Sequence, residues 1–288
     1  MMSPPYETKK VFASDYIVEL FIDHFNERIR IDYYRGNMTN ILIELEKSVE
    51  FYSIKKVIFY SRPEHWQQLI SNGFELEAII KGYFNGTDNY IMTLYKDNDR
   101  RISKFWVKED EILKAIYDKQ DKKHASQLPK NYFIRRAKKQ DAKGLANLYK
   151  KVFSIYPTPM NDAAYIEKVL EAGVIFFVVE CEGKLVSAAS AERNELFHNA
   201  EITDCATLQE HRKYGLMKKL IFLIEEDLKS NGIYCVYSIA RALSFGMNAA
   251  FHQLGYTYQG RLTNNCYIFD KLEDMNIWVK DLANFKPL

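Results

Sequence analysis

A chain of 288 residues that is 47% hydrophobic and 27% charged has the composition of a folded globular protein, which excludes a disordered segment. The length suits two ordinary domains, and a formal net charge of +2 lacks the electrostatic footprint of a nucleic-acid binder. The four cysteines (Cys181, Cys205, Cys235, Cys266) form no CxxC pair and the histidines none at ligand spacing, so reduced thiols are expected and a metal site is not.

The N-terminus, MMSPPYETKK, has no apolar signal segment, and the longest fully apolar run, Val174–Val179, is far too short for a bilayer. A cytoplasmic protein without membrane contact is expected. The residues IVELFIDHFNERIRIDYYRGN (17–37) predict a β-hairpin with its turn at His24–Arg28. A helix is expected over Asn40–Phe51, then a strand over Lys56–Tyr60. The next helix is opened by Pro63 and closed by Asn72-Gly73. FELEAIIKGYF and NYIMTLYKD read as two strands around the turn Asn85-Gly86.

Residues 97–130 change character. DNDRR and DKQDKKHASQLPK are charged, and a helix is expected between them over Val107–Lys119. Such a segment lies between domains, so the chain divides into an α/β domain (1–97), a linker with a helix (98–130) and a second domain (131–288). The second domain opens with a strand (Tyr132–Ala137) and two helices (Gln140–Phe153 and Asp162–Ala172). The strands VIFFVVECEG and KLVSAASAERNELF join at Glu182-Gly183. A strand over Ala200–Leu208 then runs through QEHRKYG into a helix (Tyr214–Lys229) closed by Asn231-Gly232. A strand (Tyr234–Ala240), a helix (Phe245–Leu254) and strands near Gly260–Phe269 and Met275–Val279 complete it. The order strand, helix, Gly-aromatic, strand occurs in both VIFYSRPEHWQQLISNGFELEAIIKGYF and CVYSIARALSFGMNAAFHQLGYTYQGRL, an internal repeat whose first copy is the degenerate one.

A strand ending in a polar loop that feeds a helix start is a frame for a phosphate: Gly215 lets backbone approach an anion, and the first-turn amides are free to point at it. Arg212 or Lys213 adds charge. The hexapeptide Arg212-Lys213-Tyr214-Gly215-Leu216-Met217 resembles the pyrophosphate signature R/Q-x-x-G-x-G/A of the GNAT acetyltransferases, with Met217 where that family has Gly or Ala. The element order of residues 130–285 resembles that family too. The resemblance implies a mixed α/β fold with a GNAT-like sheet flanked by helices, preceded by a smaller α/β unit that is a degenerate GNAT-like half.

It also implies acetyl-CoA as cosubstrate, without a metal. The cofactor would lie along Ala206, Thr207 and Leu208 and against Ser244, Asn248 and Phe251. Phe251 stands where many members have a tyrosine that protonates the departing thiolate, which leaves the general acid open. Glu201-Ile202-Thr203-Asp204-Cys205-Ala206 resembles the E-I-x-x-C-A strand of the GNAT histone acetyltransferases, which implies Glu201 as general base. Asp204, an odd spacing away, falls on the opposite face of a regular strand, and only a bulge brings both to one side.

The runs YSIARALSFGMNAAFHQLGY, GRLTNNCYIF and LEDMNIWVK, with FIDHFNERIRIDYYRGN and GYFNGTDNYIMTLY, resemble the β-lysine N6-acetyltransferases over nearly the whole chain. That implies acetylation of β-lysine, the product of lysine 2,3-aminomutase, to the compatible solute N6-acetyl-β-lysine formed in salt stress. For such a substrate, Arg241 is a candidate for the carboxylate, Asn264 and Asn265 for oriented amides, and Asp204 or Asp274 for the ammonium. Each also has a plain reading: a surface arginine, a strand-capping Asn pair, a turn aspartate. Another small amine, a protein lysine, and an acyl-CoA-binding module without turnover are the alternatives.

Overall fold

On the third strand Ile29 and Ile31 are fully buried, while Arg28, Arg30 and Asp32 between and beside them are only half-buried. This period-two pattern recurs through a computed structural model that describes residues 6–119 and 128–284. The first six strands are β1 (Tyr6–Phe12), β2 (Tyr16–Asp23), β3 (Arg28–Gly36), β4 (Lys56–Ser61), β5 (Glu75–Phe84) and β6 (Thr87–Tyr95). Helix α1 (Met38–Phe51) joins β3 to β4, and α2 (Trp66–Ser71) joins β4 to β5. Asn37 caps α1, its side chain accepting the Asn40 N–H. Helices α3 (Asn98–Arg101) and α4 (Trp106–Tyr117) follow.

The remaining elements are β7 (Tyr132–Arg136), α5 (Ala142–Val152), α6 (Ala163–Glu171), β8 (Ile175–Cys181), β9 (Lys184–Asn194), β10 (Asn199–Thr207), α7 (Leu216–Ser230), β11 (Cys235–Arg241), α8 (Phe245–Gln253), β12 (Thr257–Ile268) and β13 (Lys271–Asp281). Strand β1 and helix α3 lie outside the elements expected from sequence. The part of the expected linker at 120–127 lies outside the described residues.

All 13 strands form one mixed sheet in the order β1-β2-β3-β4-β6-β5-β12-β13-β11-β10-β9-β8-β7. The order β3-β4-β6-β5 repeats β10-β11-β13-β12, and in each copy one parallel pair is crossed by a helix. The degenerate GNAT-like half expected from the internal repeat is therefore present as topology. In that copy Tyr34 of β3 reaches past the end of β4: its hydroxyl accepts the Arg62 N–H at 3.1 Å and meets His65 Nδ1 at 2.9 Å.

The two halves join where β12 pairs with β5 at Gly260 and Ala78. One face of the sheet carries α1 over the core of the first half and α7 with α8 over that of the second. On the other face a shared cluster holds Tyr60 and Tyr83 from the first half against Phe197 and Tyr237 from the second. Helices α5 and α6 cover the end of that face. The sheet thus bends so that β3 confronts β9 and β10. No helix among the described residues is long and apolar enough to cross a membrane.

Candidate active site

Strands β10 and β11 are paired only from Asn199–Glu201 to Cys235–Tyr237, then part. The opening becomes a cleft of about 450 Å³ bounded by the far ends of both strands, the start of α7 and one face of α8. The segment between β10 and α7 is a 3-10 turn (Gln209–Tyr214) rather than an open loop, so the α-helix starts at Leu216 and not at Tyr214. Gly215, at φ 65°, is left-handed there, a conformation that a Cβ disfavours.

Of the residues expected to hold the cofactor, Thr207, Arg212, Gly215, Leu216, Met217, Ser244 and Phe251 wall this cleft. Met217 also packs on the core beneath α7. Arg212 is tied back to the strand, its Nε donating to the Thr207 carbonyl at 3.1 Å. The others do not wall it. Ala206 is buried against α5, and Leu208 gives its N–H to the Val186 carbonyl. Lys213 lies over the Tyr214 ring, and Tyr214 packs on Tyr132. Asn248 is fully buried; its Nδ2 donates to the carbonyls of Arg241 and Ser244, and its Oδ1 accepts from Asn276 and Trp278. It is a knot between α8 and β13.

Asp204 is where the sheet departs from the regular strand. The register of β10 against β9 shifts between Thr203 and Ala206, and Asp204 has φ 48°. This bulge overturns the expectation that Glu201 and Asp204 face opposite ways. Glu201 lies opposite Glu192 and Thr203 opposite Ser190, which puts these four on one face. Asp204 joins them, accepting from Ser190 Oγ at 2.7 Å and from Tyr156 OH at 3.2 Å.

Burial is the main cause that raises both acids: Glu201 to about 8, helped by Glu192 and opposed by Arg30, and Asp204 to about 6. Glu192 is water-accessible but sits in a concave, protein-crowded position that raises its pKa, again opposed by Arg30. Asp204 walls the cleft and Glu192 a second cavity of about 590 Å³; Phe153 and Tyr156 wall both.

The other expected substrate residues are not gathered there. Arg241 walls the cleft, but its Nη2 is paired with Glu273 at 2.9 Å and its guanidinium covers the Phe269 ring. Asn264 ties down α3, donating to the carbonyls of Asp99, Arg100 and Ile102, while its N–H goes to Asp274. Asn265 is buried, and its carbonyl accepts from Arg28.

Residues 142–256 match the Acetyltransferase (GNAT) family. Over 274 residues, 95% of this chain and 99% of the other, the sequence is 39% identical to N-acetyltransferase YodP of Bacillus subtilis. The chain belongs to the GNAT acetyltransferase family. It is an acetyl-CoA-dependent N-acetyltransferase. It is also 39% identical, over 79% of its length and 91% of the other's, to the beta-lysine N(6)-acetyltransferase of Methanosarcina mazei. A protein of the same name from Methanococcus maripaludis is 31% identical over 94% of this chain and 98% of its own. Among solved structures, an N-acetyltransferase from Staphylococcus aureus Mu50 superposes on 53% of this chain and 99% of its own, with a TM-score of 0.46 and 21% identity.

The residues of this acetyltransferase fit the cosubstrate. Gly215, Arg212 and Lys218 offer backbone approach and positive charge for a pyrophosphate, and Met217 and Phe251 offer apolar wall for a flexible arm. Sequence reasoning missed Arg30, Tyr156 and Glu192. The signal for Glu192 was present in SAASAERN, where Ser190, Glu192 and Asn194 alternate on one strand face after Ala188. Arg30 carried no such mark, because its strand lies far away in sequence.

Proposed function

We propose that the enzyme moves the acetyl group of acetyl-CoA to the terminal (N6) amine of β-lysine by direct attack in a ternary complex, with Glu201 as general base. The observation that carries this reading is that two neighbouring cavities share Phe153 and Tyr156 as wall, beside a strand face that bears Glu192, Glu201 and Asp204. A lysine-like amine is protonated at neutral pH, its unperturbed pKa near ~10.4, and must lose that proton before it attacks. A carboxylate whose pKa is raised to about 8 accepts it more readily than an ordinary glutamate does. Acetyl-CoA supplies the activated acetyl group. Carboxylates on the acceptor side attract a cation, and similarity to proteins named beta-lysine N(6)-acetyltransferase favours β-lysine among cationic amines. The product would be a net-neutral zwitterion, suited to accumulation as a compatible solute.

The test is thiol release from acetyl-CoA with β-lysine, α-lysine, spermidine, a lysine peptide or no acceptor, with the product mass determined. Release that depends on β-lysine, with acetyl on N6, is expected. Preference for spermidine or the peptide would leave the chemistry and remove the substrate. Glu201→Gln should lower kcat by about 10²–10⁴ with acetyl-CoA binding intact; unchanged turnover would remove Glu201 as the base.

A further inference from the structure

We propose that the N-terminal half of the sheet completes the acceptor pocket, with Arg30 holding the carboxylate of the amino-acid acceptor and Glu192 its non-reacting ammonium. This rests on the reading above and deepens it. The second cavity lies between β2 and β3 on one side and the α5–α6 connection on the other, and it reaches Glu192 on β9. Arg30 projects into it from the face of β3 opposite the buried Ile29 and Ile31.

Its guanidinium is held in a fixed orientation. Nε bonds Asp32 Oδ1 at 2.7 Å and Nη2 bonds Oδ2 at 2.8 Å, while the plane lies over Phe21 at 5.1 Å and Tyr60 at 5.7 Å. Nη1 has no hydrogen-bond partner among the described residues, so one donor edge of a pre-oriented fork remains for a carboxylate. Glu192 has no ion pair among the described residues; Arg30 is the cation that faces it, with Glu201 and Asp204 as its acidic neighbours.

A cation site and an anion site on one cavity select a zwitterionic acceptor, and the placement beside Glu201 selects a diamine. The Cβ atoms of cross-strand partners are about 5 Å apart, a distance of the order of the four-carbon separation between the two amines of β-lysine. With the 3-ammonium on Glu192, the N6 amine is directed toward its cross-strand partner Glu201, which itself walls neither cavity, and toward Asp204 on the cofactor cleft. Phe153 and Tyr156 wall both cavities, and Tyr156 bonds Asp204. The N-terminal half, which repeats the acetyltransferase topology, thereby serves as the specificity wall.

Kinetics on three acceptors that differ by one group test this: β-lysine, 1,4-diaminopentane (without the carboxylate) and 6-aminohexanoate (without the 3-amine). With each enzyme assayed on the plateau of its own pH profile, Arg30→Gln should raise KM roughly 10–100-fold for β-lysine and 6-aminohexanoate and leave 1,4-diaminopentane within about two-fold. Glu192→Gln should do so for β-lysine and 1,4-diaminopentane and spare 6-aminohexanoate. Loss by either variant on all three acceptors alike, or no loss on any, overturns the assignment and leaves the β-lysine reading standing. A wild-type enzyme that acetylates spermidine or a peptide but none of the three overturns both.

Discussion

Glu201 on β10 and Glu192 on β9 are direct cross-strand partners, two acidic residues opposed on the face of the sheet that the N-terminal half closes. Burial raises both carboxyls; Glu192 raises Glu201 further, to about 8, and Arg30 opposes the rise of each. Glu201 therefore keeps its proton to higher pH than an ordinary glutamate does.

The pH profile should follow from that relationship. A base works unprotonated, so kcat/KM should rise with pH and reach half its limit near the value of about 8 given by Glu201. Glu192→Gln removes a like charge and should move the rise to lower pH. A profile flat from about pH 6 to 9 in the wild type would exclude Glu201 as the titrating base.

Stability should respond to Glu109. This residue of α4 is buried, and burial first, then Asp274, raises its carboxyl to about 8 against the pull of Arg261. A folded-state pKa raised above the ordinary 4.5 gives a contribution that is complete below pH 4.5 and is lost as pH climbs through about 8. Glu109→Gln, which cannot ionise, should thus raise the urea midpoint at pH 9 and change it little at pH 5. An equal shift at both pH values would show that the carboxyl is not the titrating group.

The junction of the halves should be intolerant of a Cβ. At Gly260, with φ 136°, a Cβ would stand 2.2 Å from the Glu77 carbonyl oxygen and 2.6 Å from the Ala78 Cα. Those atoms are backbone, so the strands must separate. Gly260→Ala should cost about 1–3 kcal/mol or more in denaturant unfolding. Gly86→Ala, whose Cβ meets nothing within 4 Å, should cost less despite its own positive φ of 101°. Equal losses would remove the steric argument.

Lys56 should be the costliest single charge to delete. Its side chain is fully buried, its Nζ lies 3.1 Å from Glu77 Oε2, and it donates to the Thr263 carbonyl of the opposite half at 2.7 Å. Glu77 in turn accepts the Thr263 N–H and the hydroxyls of Thr93 and Tyr95. Lys56→Met leaves Glu77 buried without its cation, and breaking such a pair costs about 3–5 kcal/mol. A loss under about 1 kcal/mol in equilibrium unfolding would mean that the network reorganises without the lysine.

The sequence by itself determined most of the elements and their order, β1 and α3 excepted. Period-two burial in IRID and the glycine and asparagine turns are local effects of sterics and hydrophobic patterning, and most observed elements follow them, although α7 starts at Leu216 rather than at Tyr214. The family was legible too, since Arg212 and Gly215 stand at the spacing on which the resemblance rests. The acceptor side was not legible. Asp204 changes face because of one bulge, and Asn248, Asn264 and Asn265 are taken by backbone carbonyls or burial that no local pattern announces. Arg30 meets Glu192 across 162 positions of sequence only because the joined sheet bends one half over the other. Side-chain identity and spacing are local properties. Which charges share a cavity, and which polar atoms remain free for a substrate, are decided by long-range packing alone.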